Sequence, residues 1–238
     1  MPKVLAQKAS PASSATLGPL RATSYVDQVV EAILSRAVLG QFLPGRRINE
    51  LALARELNVS RAPIREALRM LVALDVVENT PYQGMRLTAL PPERIRHISQ
   101  VRLELEKLSL REIREVKRRN LLRTELQNVL EDMKSAARKE DRLALAKLDA
   151  VFHETIMRAS ANPVLLKLWQ MLRPQLIIIF GLSQYGAQGS ERKKPFQKIV
   201  QEHRDLIEGL ASASFDKLTA ALEAHILEEN VSVDFSSR

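Results

Sequence analysis

Residues 49–74 read NELALARELNVSRAPIREALRMLVAL, and this stretch decides the fold. Asn49 can cap a first short helix, because apolar residues recur at helical spacing directly after it. Asn58 tolerates the left-handed backbone that a tight turn between helices needs, so it ends that helix. Ser60 is placed to cap the next helix, and Pro63 lies in its first turn, where a missing backbone N–H costs nothing. The stretch predicts two short helices joined by a tight turn.

Arginine recurs every four positions in the second of these helices, at Arg61, Arg65 and Arg69. Because four residues make about one helical turn, the three side chains share a face, which lies largely away from the apolar stripe. A guanidinium group can bond guanine with two N–H groups or grip a phosphate. A solvated surface face is the alternative interpretation of such arginines. We interpret the helix as one that enters the DNA major groove.

The segment after the second helix predicts a small β-hairpin. Two strand-like runs, Val76 to Thr80 and Met85 to Leu90, flank the turn residues Pro81 to Gly84. A hairpin in this place beside two such helices is the wing of a winged helix-turn-helix. An amphipathic helix from Tyr25 to Leu39 precedes the module and is expected to brace it.

The module resembles the winged helix-turn-helix of the GntR family of bacterial transcription regulators. The matching residues are Pro44, Gly45, Ile48, Glu50, Leu53, Ala54, Leu57, Val59, Ser60, Arg61, Pro63, Ile64, Arg65, Glu66, Ala67, Leu68, Leu71 and Gly84. The resemblance implies that Arg61 and Arg65 contact DNA and that Gly84 approaches the minor groove. Met85 stands where the family often has a basic residue, so Arg86, next along the chain, is the expected phosphate contact of the wing. The expected DNA-binding residues are Ser60, Arg61, Arg65, Arg69, Gly84 and Arg86.

The composition favours a helical protein that binds a polyanion. Of the 238 residues, 45% are apolar and only 4% aromatic, and the formal net charge is +8. The chain has no cysteine, so the fold needs no disulfide and a metal site would use nitrogen and oxygen ligands. The longest strongly apolar patch, Leu176 to Phe180, is too short to span a membrane. We therefore expect a cytoplasmic protein without a membrane partner.

Three regions are expected along the chain. Residues 1–22 are rich in Ala, Ser and Pro and predict a disordered tail, with a cleaved targeting peptide as the alternative. Residues 23–90 form the winged helix-turn-helix domain. Pro91 and Pro92 mark a boundary, since the second proline can start a new helix. Residues 91–238 are expected to form a bundle of six helices. The predicted helices are Pro92 to about Lys117, about Leu121 to Arg138, Asp141 to Ala159, Pro163 to Gly181, Arg192 to Ala211 and Ser214 to Glu229.

One aspartate and three histidines of the bundle could meet at one interior point. Asp149 and His153 are four residues apart on the third of the six helices, so they share a face. His203 and His225 lie among apolar residues of the fifth and sixth helices. Three imidazoles and one carboxylate suit a first-row metal, with Zn²⁺ expected first and Ni²⁺ or Mn²⁺ as alternatives. Taken one by one, histidines in such positions are more often ordinary core or surface residues than metal ligands.

The pattern around these residues resembles the FCD ligand-binding domain, the effector module of the FadR-like branch of GntR regulators. The matching segments are Asp149 to His153, the later His203 and His225, Asn162-Pro163 with Leu165, and Arg102 to Glu106. The resemblance implies a divalent metal held by Asp149, His153, His203 and His225 beside a carboxylate-bearing effector. Arg102 is the expected partner of the effector carboxylate, and Arg173 is a second candidate. The alternative for Arg102 is an exposed ion pair with Glu106.

The sequence therefore predicts a mainly α, homodimeric transcriptional regulator rather than an enzyme. We expect a repressor that a small organic acid releases from a palindromic operator in double-stranded DNA. One rival hypothesis is a metal-dependent hydrolase fused to a DNA-binding module. Another keeps the DNA function and makes the metal purely structural. A fatty-acyl effector is a third, which the polar Asp and His residues argue against.

Overall fold

The computed structural model describes residues 24–113, 115–183, 196–211 and 215–228. This part of the chain is mainly α-helical, as predicted, with one small antiparallel sheet. Its elements are α1 (Tyr25–Val38), α2 (Glu50–Glu56), α3 (Arg61–Ala73), β1 (Val77–Thr80), β2 (Gly84–Leu87), α4 (Pro92–Glu112), α5 (Val116–Arg138), α6 (Arg142–Ala159), α7 (Pro163–Ser183), α8 (Phe196–Ala211) and α9 (Phe215–Glu228). The predicted tail, residues 1–22, lies outside the described residues.

Local hydrogen bonding explains the helix ends of the helix-turn-helix. The Asn49 side chain accepts hydrogen bonds from the backbone N–H groups of Leu51 and Ala52, which fixes the start of α2. Asn58 has a φ of +51°, the left-handed conformation that the turn requires. Ser60 occupies the N-cap position of α3, but its hydroxyl accepts no hydrogen bond from the helix, unlike the predicted cap. The hydroxyl instead lies exposed at the start of α3.

The wing is tied to the segment that precedes α2. Strands β1 and β2 pair from Val77 with Leu87 to Thr80 with Gly84. The Ile48 N–H donates to the Met85 carbonyl at 2.9 Å. This bond joins the wing to the segment directly before α2. Both strands are shorter than predicted: β1 begins at Val77 and β2 ends at Leu87, although the Thr88 N–H still donates to the Val76 carbonyl at 2.9 Å.

Helices α4 to α9 form the predicted bundle, in which α6 packs against α4, α5 and α7, and α8 packs against α5 and α9. The predicted join between the first two of these helices was wrong. Helix α4 ends at Glu112 and α5 begins at Val116. Ile113 is buried and non-helical, and its carbonyl accepts a hydrogen bond from Arg119 at 2.9 Å. The predicted start of α8 at Arg192 and the Ser214 cap of α9 lie outside the described residues.

Helix α7 is the longest apolar element and continues through Pro174 to Ser183, beyond the predicted end at Gly181. By length and composition it is the one helix of the described part that could span a membrane. Its most apolar window is 56% buried within the fold, however, and the helix packs against α1, α4 and α6. We therefore interpret α7 as the central helix of the bundle.

The winged domain rests on α7 through a close helix contact and a set of polar bonds. Gly181 lies against Val38 of α1, where an added Cβ would come within 2.6 Å of the Val38 Cγ1 atom. The Gln175 amide donates to the Leu74 carbonyl at 3.1 Å, and Arg94 donates to the Gln175 side chain at 3.3 Å. The glycine thus allows α7 to lie close to α1, while the polar bonds join α7 to the end of α3 and to α4.

We expect Gly181→Ala to destabilise the protein. Alanine favours a helix over glycine by about 1 kcal/mol, but overpacking costs about 1–3 kcal/mol, and Val38 is too short and branched to move aside. The free energy of unfolding from denaturant titration measures the net effect. In a Val38→Ala background, which removes the contacting methyl groups, the same substitution should become neutral or stabilising. A loss of equal size in both backgrounds would contradict the packing explanation.

Candidate functional site

The residues predicted to bind DNA lie around a groove between the helix-turn-helix and the wing. This groove of about 450 Å³ is lined by Arg61 and Arg65 of α3 and by Gly84 of the wing. Ser60 and Arg69 are also exposed along the same helix. The Arg65 Nε atom lies 3.3 Å from a Glu50 carboxylate oxygen, so the side chain is oriented while remaining largely open to solvent. The arrangement presents a cationic surface suited to phosphates and base edges.

At two arginines, Arg86 and Arg47, the wing differs from what the sequence predicts. Arg86 is half-buried and donates from Nη1 to the Gly45 carbonyl at 2.9 Å, which gives it a structural contact, and its phosphate contact stays a prediction. Arg47, which the sequence interpretation omitted, bridges to Arg86 and lies beside Gly84. Gly84 has a φ of +79°, a conformation that favours glycine. Among the groove residues, Arg47 is the exposed cation nearest to Gly84. The sequence does not predict this contact, because Arg47 precedes Gly84 by 37 residues.

Asp149, His153, His203 and His225 meet in the interior of the helical bundle, and we refer to them as the Asp/His cluster. One potential ligand atom from each lies within 4.8 Å of all the others, and all four residues are buried. The Nε2 atom of His203 is 3.1 Å from Asp149 Oδ1, and the Nε2 atoms of His153 and His225 are 3.2 Å apart. Helices α6, α8 and α9 contribute the four side chains, as the bundle prediction required.

Hydrogen bonding behind the His203 ring leaves two acceptors facing each other. Its Nδ1 lies 2.8 Å from the Ile199 carbonyl, which can only accept, so Nδ1 bears the proton. In the neutral form of this tautomer, Nε2 carries a lone pair that faces Asp149 Oδ1 at 3.1 Å. Within the described residues neither of these two buried atoms has a hydrogen-bond partner. A cation between them would satisfy both, and separations near 3.1 Å suit ligands that are each about 2.1 Å from one ion.

The electrostatic environment keeps the potential ligands in the forms that bind metals. Burial alone would raise the pKa of Asp149, but the positive charge of Arg102, 3.8 Å away, favours the carboxylate and helps to hold that pKa below its usual value. Burial, together with the charge of Arg102, lowers the pKa of His153 well below its usual value. The site therefore contains a carboxylate and a neutral imidazole, both of which have free electron pairs for a cation.

Arg102 and Glu106 of α4 lie against the Asp/His cluster. Arg102 is buried, donates from Nε to Glu106 Oε1 at 2.9 Å, and approaches Asp149 Oδ2 to 3.8 Å. The alternative pairing with Glu106 thus exists, but the pair is buried rather than exposed. The second Glu106 oxygen is 2.7 Å from His153 Nδ1. Burial raises the pKa of Glu106, and Arg102 opposes that shift. The sequence interpretation noted Glu106 only as a partner for Arg102.

Arg173 lies in a different place. Its Nε is 3.1 Å from a carboxylate oxygen of Glu154, which also pairs with Arg158. These residues line a pocket of about 330 Å³ whose lining includes no member of the Asp/His cluster. The structure thus brings Arg102, but not Arg173, to the cluster.

The surroundings of the cluster disfavour hydrolytic chemistry. A hydrolase needs a general base facing the metal-activated water. Glu154 is occupied by Arg158 and Arg173, and Glu106 lies behind the His153 ring, on the Nδ1 side. Asp149 would itself be a ligand. Glu202 faces the Nδ1 atom of His225 at 3.6 Å.

Family models cover both parts of the chain. The model for bacterial regulatory proteins of the gntR family matches residues 25–87, and the FCD domain model matches residues 97–228. These matches coincide with the winged helix-turn-helix and with the bundle that contains the Asp/His cluster.

Relatives of the chain are transcriptional regulators rather than enzymes. A probable D-xylose utilization operon transcriptional repressor of Paenarthrobacter nicotinovorans is 26% identical and covers 89% of this chain and 90% of its own length. The gluconate operon transcriptional repressor of Bacillus licheniformis is 29% identical and covers 79% of this chain and 76% of its own. The solved structure of E. coli McbR/YncC has a TM-score of 0.67 at 21% identity, covering 86% of this chain and 94% of that one. This structural likeness shows the shared fold.

Proposed function

Because the chain belongs to the GntR family of bacterial regulatory proteins and contains an FCD domain, we propose that it is a metal-containing transcriptional repressor released from DNA by a small organic acid. Residues 23–90 form its DNA-binding domain and residues 91–238 its sensing domain. The observation that supports the sensing role most strongly is the Asp/His cluster, four buried donor groups within 4.8 Å of one another. The names of the relatives support repression.

The DNA-binding domain is proposed to act as one half of a pair. A two-fold homodimer places two recognition helices on two half-sites, so its operator is palindromic. In each domain α3 enters the major groove with Arg61 and Arg65, while Gly84 and Arg47 approach the adjacent backbone. Such a regulator functions in the cytoplasm, where it meets its operator. Its mass in solution should be twice the 26.8 kDa of the single chain.

The Asp/His cluster is proposed to hold one divalent ion, with Zn²⁺ as the first choice and Ni²⁺ or Mn²⁺ as alternatives. When bound, such an ion supplies a Lewis acid that attracts an anionic ligand. Arg102 and Glu106 offset each other's charge, and Asp149 offsets one unit of the ion's charge. About one positive unit therefore remains in a buried place, where an anion is strongly attracted.

The effector is proposed to be a small carboxylate: a sugar acid, a hydroxy acid, a dicarboxylate or an amino acid. It can release DNA only if it binds more tightly to the conformation whose two DNA-binding domains do not fit the operator. By the same linkage, operator DNA must weaken effector binding by an equal factor. Helix α7 touches both the cluster and α1, through Trp169 beside His153 and Gly181 beside Val38, and can transmit the change.

Arg102→Lys tests the acid-sensing role. Lysine keeps the positive charge against Glu106 but loses the planar fork that binds a carboxylate with two N–H groups. Alanine would leave Glu106 buried without its cation, a change that costs about 3–5 kcal/mol and confounds the result. We expect Arg102→Lys to need at least about tenfold more acid for half-maximal operator release, which corresponds to about 1.4 kcal/mol.

Operator release is measured by fluorescence anisotropy with an acid first chosen by thermal shift. The DNA affinity without acid should be unchanged, since Arg102 is remote from the recognition helix. An unaltered acid response would contradict an effector contact by Arg102. If the metal is purely structural, a chelator lowers the melting temperature while no acid changes operator binding in the wild type.

A further inference from the structure

We infer that Glu106 is the positioning residue of the Asp/His cluster: it fixes the His153 ring and its tautomer so that Nε2 faces the metal. This inference rests on the proposed metal binding and extends it to a residue outside the four donors. Glu106 does not itself enter the cluster, because it contacts the opposite edge of the ring, at Nδ1.

Both oxygens of the Glu106 carboxylate are engaged, and the side chain is fully buried. One oxygen accepts from Arg102 Nε at 2.9 Å, and the other lies 2.7 Å from His153 Nδ1. A carboxylate held at two points in the core cannot rotate away from the ring. Its position therefore dictates which face and which nitrogen of His153 point inward.

The contact leaves His153 with one suitable tautomer. A metal on Nε2 needs the lone pair of that nitrogen, so Nδ1 must bear the proton and donate it to Glu106, 2.7 Å away. The lone pair of Nε2 then points into the cluster, 3.2 Å from His225 Nε2 and 3.9 Å from Asp149 Oδ1. A carboxylate behind a ligand histidine orients the ring and increases its basicity toward the metal.

The three histidines are supported differently. His203 faces the backbone carbonyl of Ile199 at 2.8 Å, and His225 faces Glu202 at 3.6 Å, beyond hydrogen-bond distance. Among the described residues, His153 alone of the three combines a short contact with a fully buried carboxylate. Arg102 extends this arrangement, since it links Glu106 to the Asp149 carboxylate. The residue proposed to sense the acid is thereby in contact with the support of a metal ligand.

Glu106→Gln is the direct test. Glutamine keeps the size of the side chain but replaces one of the two engaged oxygens with an NH2 group, which cannot accept from Arg102 or from His153 Nδ1. We expect its Kd for Zn²⁺ to rise about 10- to 100-fold, the usual effect of losing such a support. Competition with a chromogenic chelator measures the Kd, and the fluorescence of Trp169, the single tryptophan, reports binding beside His153.

Glu202→Gln is the matched control, because it makes the same change at the longer contact with His225 and should raise the Kd less. Equal Zn²⁺ affinity in Glu106→Gln and wild type, with both folded by circular dichroism, overturns the inference and leaves the proposed function intact. A wild type that binds no Zn²⁺, Ni²⁺ or Mn²⁺ overturns both.

Nitrogen NMR of the metal-free wild type supplies a second readout that needs no variant. It reports which nitrogen of His153 bears the proton, and a residue that only fills space would not fix that choice. The inference requires His153 to be protonated at Nδ1 and bare at Nε2. If Glu106→Gln does not fold, this measurement decides the question. A proton on Nε2 with Nδ1 bare overturns the inference.

Discussion

Purified His203→Ala protein should contain no stoichiometric divalent metal, whereas the wild type should bind one ion per chain. The His203 ring is fully buried and its Nε2 lies 3.1 Å from the Asp149 carboxylate, so alanine removes one of the four donors and leaves an apolar gap beside Asp149. Elemental analysis after incubation with Zn²⁺, Ni²⁺ or Mn²⁺ and gel filtration gives the stoichiometry. Because a ligand that binds only the native state stabilises it, metal should raise the melting temperature of the wild type and leave that of the variant unchanged.

His97→Ala is the control for this experiment. His97 lies on α4 with a side chain that is 60% exposed, near Glu93 and away from the cluster. It should retain one ion per chain and the metal-dependent rise in melting temperature. If His203→Ala also kept one ion per chain, the Asp/His cluster would not be the metal site.

Arg65→Ala should weaken operator binding by about 1–3 kcal/mol, or roughly 5- to 150-fold in Kd. The side chain is 57% exposed on α3, and its partner Glu50 forms only a solvent-exposed ion pair, worth at most about 1 kcal/mol to folding. A loss of DNA affinity without a comparable loss of stability therefore assigns Arg65 to the DNA contact. Anisotropy with an operator selected from random DNA, at fixed salt, measures the Kd.

The salt dependence shows which kind of contact Arg65 makes. A phosphate contact reduces the slope of log affinity against log salt by about 1, whereas a contact to a base edge changes specificity at one position. Arg96→Ala removes an exposed, ion-paired arginine on α4 and should leave operator affinity unchanged. An Arg65→Ala variant with wild-type affinity would remove this residue from the DNA-binding surface.

Local patterns predicted most of the fold. Asn49 and Asn58 mark helix ends through short-range backbone effects, and both behave as expected. The join after α4 was misplaced because its cause is tertiary: the buried Ile113 leaves the helix and its carbonyl is satisfied by Arg119. The sequence pattern of the basic segment around Ile113 does not predict that the Ile113 carbonyl accepts from an arginine side chain instead of from a helical N–H.

The site could be predicted only in part, for the same reason. Asp149 and His153 are separated by one helical turn, so their shared face follows from spacing, while His203 and His225 required the packing of three helices. Glu106 was visible as a neighbour of Arg102, but its contact with His153 depends on how α4 crosses α6. Arg47 likewise reaches Gly84 through a bridge between distant segments.

Operator affinity measured with and without metal, and with and without acid, tests the central claim most directly. The acids are those that raise the melting temperature of the metal-loaded wild type. The proposal predicts that such an acid lowers operator affinity at least about tenfold in the metal-loaded protein and has little effect after chelation, since the ion attracts the carboxylate. Equal release by the acid with and without metal, or operator affinity indifferent to every acid that binds, would contradict it.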